Sequence, residues 1–179
     1  MRLFISALII ILLVYCSDEK IKPIIENNKS ATEIPSHESW NSKITFTNEG
    51  KTRAVLFSDH LKKYDLQKIT LLEGVKINFY NPEQSVTTVL TSKRGKVDDL
   101  TMDMYAIDSV VAVNDSGTVL RTTELKWRNN DEKIMTDKFV SIRSSKEIIE
   151  GYGMESDQHL HNYVIFKVTY SASVNNKKQ

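Results

Sequence analysis

The residues best equipped for chemistry in this chain are few and scattered. The histidines are His37, His60, His159 and His161. His159-Leu160-His161 has the spacing that sets both rings on one face of a strand, as some metal ligands are. No third nitrogen or carboxylate stands at a recognisable spacing, so solvated histidines are the plainer reading. Asp98-Asp99 with Asp103, and Asp108 with Asp115, are carboxylate groups of a kind that calcium uses. Each stands at an expected turn or strand end, where Asp is ordinary. Lys93-Arg94-x-Lys96 suits a phosphate or a solvated turn. Gly151-Tyr152-Gly153 lacks the strand–turn–helix context of a phosphate loop; it reads as a turn or bulge pair needing positive φ. A clustered nucleophile, base and orienting partner is not found. The chain therefore reads as a non-enzyme, with no cofactor and no metal.

The remaining reactive side chain is the single cysteine, Cys16. Alone it makes no intrachain disulfide and no paired-cysteine zinc site. Its place is informative. Met1-Arg2 precedes thirteen residues, Leu3 to Tyr15, of which only Ser6 is polar. Crossing a bilayer takes about 20 apolar residues, whereas a signal-peptide core takes roughly 7–15 behind a positive end. Leu13-Val14-Tyr15-Cys16 resembles a lipoprotein signal, in which cleavage precedes the cysteine and its thiol is acylated. Tyr15 departs from that pattern, because a small residue normally stands there. The alternative is a retained short membrane helix. Both readings export the rest of the chain and tether it.

Behind this segment the composition is balanced. Lys and Arg number 24 against 23 Asp and Glu, so no basic surplus argues for nucleic acid. Residues 17–39 are polar, with Pro23, Pro35 and Asn27-Asn28, and read as a tether. From 40 to 170 short runs of Val, Ile, Thr, Phe and Tyr alternate with polar residues, as half-buried strands do. Val75-Lys76-Ile77-Asn78-Phe79 is one such alternation. Asn114-Asp115-Ser116-Gly117 reads as a hairpin turn. Asp59 to Gln67 is a short helix candidate that the repeat below contradicts. Residues 171–179 read as a loose tail.

An internal repeat organises the β region. Val55-Leu56-Phe57-Ser58 recurs as Val89-Leu90-Thr91-Ser92 and as Val119-Leu120-Arg121-Thr122, at intervals of 34 and then 30 residues. Leu61, Gly95 and Leu125 follow at a constant distance, then Ile69, Met104 and Ile134, then Val75, Val110 and Val140. The first unit is one residue shorter between Leu61 and Ile69, which a loop difference would explain. Repeats of this size stack or pair to bury their apolar faces. Leu56, Leu90 and Leu120 share a face of their strands, and Val75, Ile77, Phe79, Val110, Val140 and Ile142 a face of theirs. The expected fold is all-β: an elongated, twisted, two-sheet antiparallel jelly roll with an apolar interior and free first and last edges.

The stretch Gly117-Thr118-Val119-Leu120-Arg121-Thr122-Thr123-Glu124-Leu125-Lys126-Trp127, followed by Gly151-Tyr152-Gly153-Met154-Glu155-Ser156-Asp157, resembles the LptC family of lipopolysaccharide-export proteins and its LptA and LptD jelly-roll relatives. The likeness runs from about Thr45 to Tyr170. It implies a periplasmic domain anchored in the inner membrane, which takes lipopolysaccharide from an ABC transporter of the LptBFG type. It implies delivery to an LptA-type bridge by edge-strand addition. Leu56, Val75, Ile77, Phe79, Leu90, Val110, Leu120, Val140 and Ile142 would then line an apolar groove for acyl chains. Gly151 and Gly153 would form a hinge or exit end, and Val164, Phe166 and Val168 the partner edge. The usual family anchor is a transmembrane helix, so an acylated Cys16 would be a departure. Without lipid cargo, the chain reads instead as a surface or periplasmic lipoprotein that binds protein or glycan.

Overall fold

Alternation of apolar and polar residues commits the chain to strands, and Asn, Asp and Gly set where they turn. In the computed structural model, which describes residues 34–174, the strands are β1 (His37–Asn48), β2 (Lys51–Tyr64), β3 (Ile69–Tyr80), β4 (Val86–Asp98), β5 (Met104–Asn114), β6 (Val119–Arg128), β7 (Lys133–Arg143), β8 (Glu147–Asp157) and β9 (Tyr163–Ser173). All described residues lie in the compact unit Ala31–Gln179. The strands pair antiparallel in chain order, from β1 to β9, as one sheet with β1 and β9 as its edges. The segment Asp59 to Gln67 is the end of β2 and its turn, with no helix. β1 begins at His37, inside the segment read as tether, because its first residues pair with Lys63, Lys62 and Leu61. β9 continues through Ser171–Ser173, held by Ile149, Ile148 and Glu147, so the tail is shorter than expected.

The expectation of two separate sheets is corrected by this topology. The Val-Leu-x-Ser/Thr strands (β2, β4, β6) and the Val75, Val110 and Val140 strands (β3, β5, β7) are hydrogen-bonded neighbours. Leu56 pairs with Ile77, Ile77 with Leu90, Leu90 with Ala112, Ala112 with Leu120 and Leu120 with Ile142, in one row. The two layers come from bending every strand at its middle. We call the layer carrying this row leaf A. Leaf B is the other half of the same strands, with a second row running Leu61, Leu72, Gly95, Ala106, Leu125 and a third running Val97, Met104, Trp127, Ile134. The inner faces of both leaves belong to a single buried cluster.

The bend is written into the backbone. Asn41 (φ 51°), Gly74 (φ 62°), Asp108 (φ 63°), Ser109 (φ 53°) and Gly153 (φ 71°) take left-handed conformations inside strands, not in turns. The ladder skips Asn41, Asp59 and Gly74, and shifts register near Ser92–Lys93, Asp108–Ser109, Thr123–Leu125 and Asp137–Lys138. A bulge kinks a strand and re-aims its side chains. Here it carries the inward set from Leu56 and Ser58 to Leu61, and from Leu90 and Ser92 to Gly95, which a straight strand would put on opposite faces. The one-residue shortfall of the first repeat lies at this corner and not in a loop. Glu73-Gly74 separates Leu72 from Val75, whereas Ile107-Asp108-Ser109 separates Ala106 from Val110. Thr70, not Ile69, is the register equivalent of Met104 and Ile134.

The corner also explains the fourth residue of the repeat. A skipped ladder rung leaves carbonyls in need of a donor. Ser58 Oγ lies 2.7 Å from the His60 carbonyl and 2.8 Å from that of Glu73. Ser92 Oγ donates to the Arg94 carbonyl at 2.8 Å. Thr122 Oγ1 donates to the Phe139 carbonyl at 2.8 Å. Ser58→Ala, which strips the donor from a buried corner, is expected to lower unfolding stability by about 1–2 kcal/mol. Urea denaturation measures this, and an unchanged midpoint would show the hydroxyl to be dispensable.

Candidate functional site

Each inward residue assigned to the groove is on the inner face and buried. Leu56, Val75, Ile77, Phe79, Leu90, Val110, Leu120, Val140 and Ile142 are between 0 and 4% exposed. They form a lane of apolar side chains across leaf A, perpendicular to the strands. The lane is filled: the opposing leaf occupies it, so accommodating an acyl chain requires the leaves to part. Packing across the leaves is concentrated on Trp127, whose ring centroid lies 5.7 Å from that of Phe46 and 5.9 Å from that of Phe79. Its Nε1–H donates to Gln158 Oε1 at 3.1 Å, satisfying the one polar atom the indole buries.

The β8–β9 loop seals the outer margin of the fold. Asn114 Nδ2 donates to the His159 carbonyl at 3.1 Å, and His161 Nε2 lies 3.2 Å from Asp115 Oδ1. The two histidines are therefore loop residues flanking the buried Leu160 (φ 55°), not a strand pair. Their rings are 6.0 Å apart, and no metal-type cluster occurs among the described residues. Asp157 organises this loop by accepting from the backbone N–H of His159 (2.9 Å), His161 (3.1 Å) and Asn162 (3.0 Å). Burial alone would raise its pKa, but the Asn162 side chain and these N–H groups together outweigh it and hold the carboxyl below its ordinary value. A depressed folded pKa gives stability that is present above the unfolded value, near 3.9, and lost as pH falls through the folded one. Acid titration followed by hydrogen exchange should thus loosen residues 158–162 below about pH 4. In Asp157→Asn that acid-dependent step should disappear.

The other acids are structural as well. Asp98 Oδ1 accepts from the N–H of Leu100 and Thr101, and Asp103 holds Asn129 N–H and the Lys126 ammonium. Arg94 pairs with Asp108 across the corner at 2.7 Å, and Lys96 lies 4.3 Å over the Tyr105 ring. Arg94 and Lys96 of the basic run are thus held by partners on their own leaf, and Lys93 is exposed.

Gly151 sits buried in β8 between Val140 and Val168. A Cβ there would meet the Lys167 carbonyl oxygen at 2.3 Å; one on Gly153 would meet the Phe166 ring at 2.8 Å. Both glycines let β9 close onto β8 at the corner. On β9 itself, Val164, Phe166 and Val168 are exposed, while Tyr163 and Ile165 pack against the core. The phenol of Tyr163, on leaf B, donates to Glu147 Oε1, on leaf A, at 3.0 Å. Burial, and then that bond, push the phenol up to about 12. A cleft of about 1000 Å³ opens beside this pair, lined by Glu147, Ile149, Ser156, Gln158 and Tyr163 among others. A second, of about 610 Å³, lies on the outer surface of leaf B among Tyr105, Met135, Tyr152 and Phe166. Cys16 lies outside the described residues.

Sequence reasoning did not single out Gln158 or Glu147, and it read Asn114 only as the head of a turn and Tyr163 only as the start of the last apolar run. Gln158 and Glu147 carried no signal, because their partners Trp127, Glu132 and Tyr163 are distant along the chain.

The fold and its lining define a single open-edged antiparallel sheet of β-jelly-roll type, folded over an apolar interior. A family profile described as "Lipopolysaccharide-assembly, LptC-related" matches residues 3–167, and the chain belongs to that family. The family is a periplasmic, inner-membrane-associated component of lipopolysaccharide transport and is not an enzyme family. No curated protein matches the chain. No helix among the described residues is long and apolar enough to cross a membrane.

Proposed function

We propose that this domain receives lipopolysaccharide from an inner-membrane ABC transporter of the LptBFG type and passes it, acyl chains inward, to an LptA-type bridge. The observation that carries this reading is the inner row, which runs from Ile44 on edge strand β1 through Leu120 and Ile149 to Ser171 on edge strand β9 without a charged residue. Apolar surface is worth roughly 25 cal/mol per Å² when removed from water, so a lane of this kind carries acyl chains without exposing them. Parting of the leaves is feasible because they are joined on one side by the corner and touch elsewhere through side chains. The β9 edge, with Val164, Phe166 and Val168, is where a partner strand would add. The anchor would be an acylated Cys16 or a retained helix over residues 3–15; mass spectrometry of the mature N-terminus distinguishes them.

Photo-crosslinking amino acids at Ile77, Leu120 and Ile142 should capture lipopolysaccharide in cells. A folded protein that yields no adduct at any of the three would overturn the reading. The filled interior favours one competing reading, a lipoprotein β domain that binds protein or glycan with no lipid cargo. That reading requires adducts to be absent at all inward positions.

A further inference from the structure

The two ends of the inner lane are not alike. At the β1 edge the leaves meet through the Phe46 ring against Trp127, with the Arg53–Glu132 ion pair one strand in at 3.3 Å, and no described side-chain hydrogen bond joins β1 itself to the opposite leaf. At the β9 edge the leaves are tied. Glu147 opens β8 on leaf A, opposite Ser173; Tyr163 opens β9 on leaf B, opposite Ser156. These positions lie at opposite ends of β8, which spans 11 residues. A straight strand would hold Glu147 and the Ser156 position roughly 30 Å apart at about 3.3 Å per residue. They meet only because the corner folds β8 back on itself.

The pair also marks a boundary in the core. Immediately inside it are Ile142, Met154 and Leu160, all 2% exposed or less. Beyond it, at the inward register position opposite Gly151, Val168 is 54% exposed. The Tyr163 ring packs on the apolar cluster while its hydroxyl is bound to the carboxylate across the gap. The raised phenol pKa keeps the hydroxyl a donor at any physiological pH. A bond of this kind, neutral donor to charged acceptor, is among the stronger side-chain contacts.

We propose that Tyr163 and Glu147 form a latch that closes the β9 end of the lane, so that cargo leaves on that side only when this contact opens. The inference rests on the lipid-conduit reading and adds to it a gate at one end. Opening this contact breaks one hydrogen bond and swings the ring off the core, while the β8–β9 loop stays tied to leaf A through Asn114 and the His159 carbonyl. No strand pairing is lost, because Tyr163 stays paired with Ser156 and Glu147 with Ser173.

The test uses the full chain in cells, with a photo-crosslinker either at Leu120, inside the latch, or at Val168, beyond it. Tyr163→Phe removes only the hydroxyl and keeps the ring. It should raise the Val168 adduct relative to the Leu120 adduct by about tenfold, the scale of one hydrogen bond to a charged group. Glu147→Gln, which retains an acceptor, should give a smaller rise. In the opposite sense, joining Glu147→Cys and Tyr163→Cys with a short bis-maleimide should abolish the Val168 adduct while sparing that at Leu120. Equal Val168 to Leu120 ratios in wild type, Tyr163→Phe and the stapled protein would overturn the latch and leave the conduit standing. Loss of adducts at both positions in every form, with the protein folded, would overturn the conduit and the latch with it.

Discussion

Replacing Trp127 with alanine is expected to lower the unfolding free energy by about 4 kcal/mol, near the top of the range for a buried aromatic. Three losses combine. The indole is 2% exposed and leaves a large void. Its edge contact with Phe46 and its tilted contact with Phe79 are where leaf B meets leaf A, so the void opens between layers and not within one. Its N–H partner, Gln158 Oε1, is left buried without that donor. Gln158 also reaches Glu132 at 3.2 Å, so the β8–β9 loop should loosen along with the core. For a domain of this size, 1 kcal/mol moves the melting temperature by roughly 2–4 °C, which gives a drop of about 10 °C or more. Thermal unfolding followed by circular dichroism checks it. Trp127→Phe should recover most of the packing but not the Gln158 bond. If Trp127→Ala melted within a degree or two of wild type, the leaves would not be held together by this contact.

The second large effect is expected at Gly151. In Gly151→Ala the new methyl would stand 2.3 Å from the Lys167 carbonyl oxygen and 2.7 Å from Ile165 Cγ2. The first neighbour is backbone and cannot rotate away, so β9 must shift from β8. Overpacking of this kind costs about 3 kcal/mol, and the cost is local. Because β9 is an edge strand held only by β8, the variant should lose hydrogen-exchange protection across residues 163–173 while β3 to β6 keep theirs. Gly50→Ala is the control for backbone strain alone: unlike Gly151, which lies inside β8 without a positive φ, Gly50 sits in a turn at φ 76° and its Cβ would meet nothing. It should cost about 1 kcal/mol, from backbone strain alone. Uniform loss of protection in Gly151→Ala would show that β9 is not a separable edge. Unchanged protection would show that the approach of β9 is not set by this glycine. If β9 also receives a partner strand, as proposed, the same variant should fail to bind an LptA-type partner while its core remains folded.

Both effects depend on features with unequal visibility in the sequence. Alternation exposed the strands, and the repeat Val-Leu-x-Ser/Thr located three of them. Side-chain direction in a strand has a period of two residues, so the inward set could be read from Leu56, Leu90, Leu120, Val75, Val110 and Val140 without a structure. The turn at Asn114-Asp115-Ser116-Gly117 was legible for a similar reason: Asn114 Oδ1 accepts from the N–H of Ser116 and of Thr118, the residue directly after the motif, so the bonds are local. The family was legible from the Thr-Glu-Leu-x-Trp and Gly-x-Gly-Met-x-Ser-Asp stretches. In the fold these are not arbitrary signatures. Trp127 joins the leaves, and Gly151 and Gly153 let β9 approach.

The missing knowledge was which apolar faces meet, and where. An alternating pattern states that a face is buried but not what covers it. Two sheets packed together and one sheet folded on itself satisfy it equally. The choice is made by bulges, whose sequence signals are single residues such as Gly74 or the Asp108-Ser109 pair. These are locally indistinguishable from turn residues. The serine and threonine of the repeat looked like ordinary strand positions until the fold placed their hydroxyls against the carbonyls of the corner.

The sequence by itself therefore determined the all-β class, the inward residues, the uncharged lane and the family. These follow from local periodicity and short motifs. Only the tertiary structure decided that the lane is one folded sheet, that it is filled in this state, and that Tyr163 and Glu147 meet at its β9 end. Those facts rest on contacts between residues brought together by a bend in every strand, and no spacing along the chain encodes the distance across a fold.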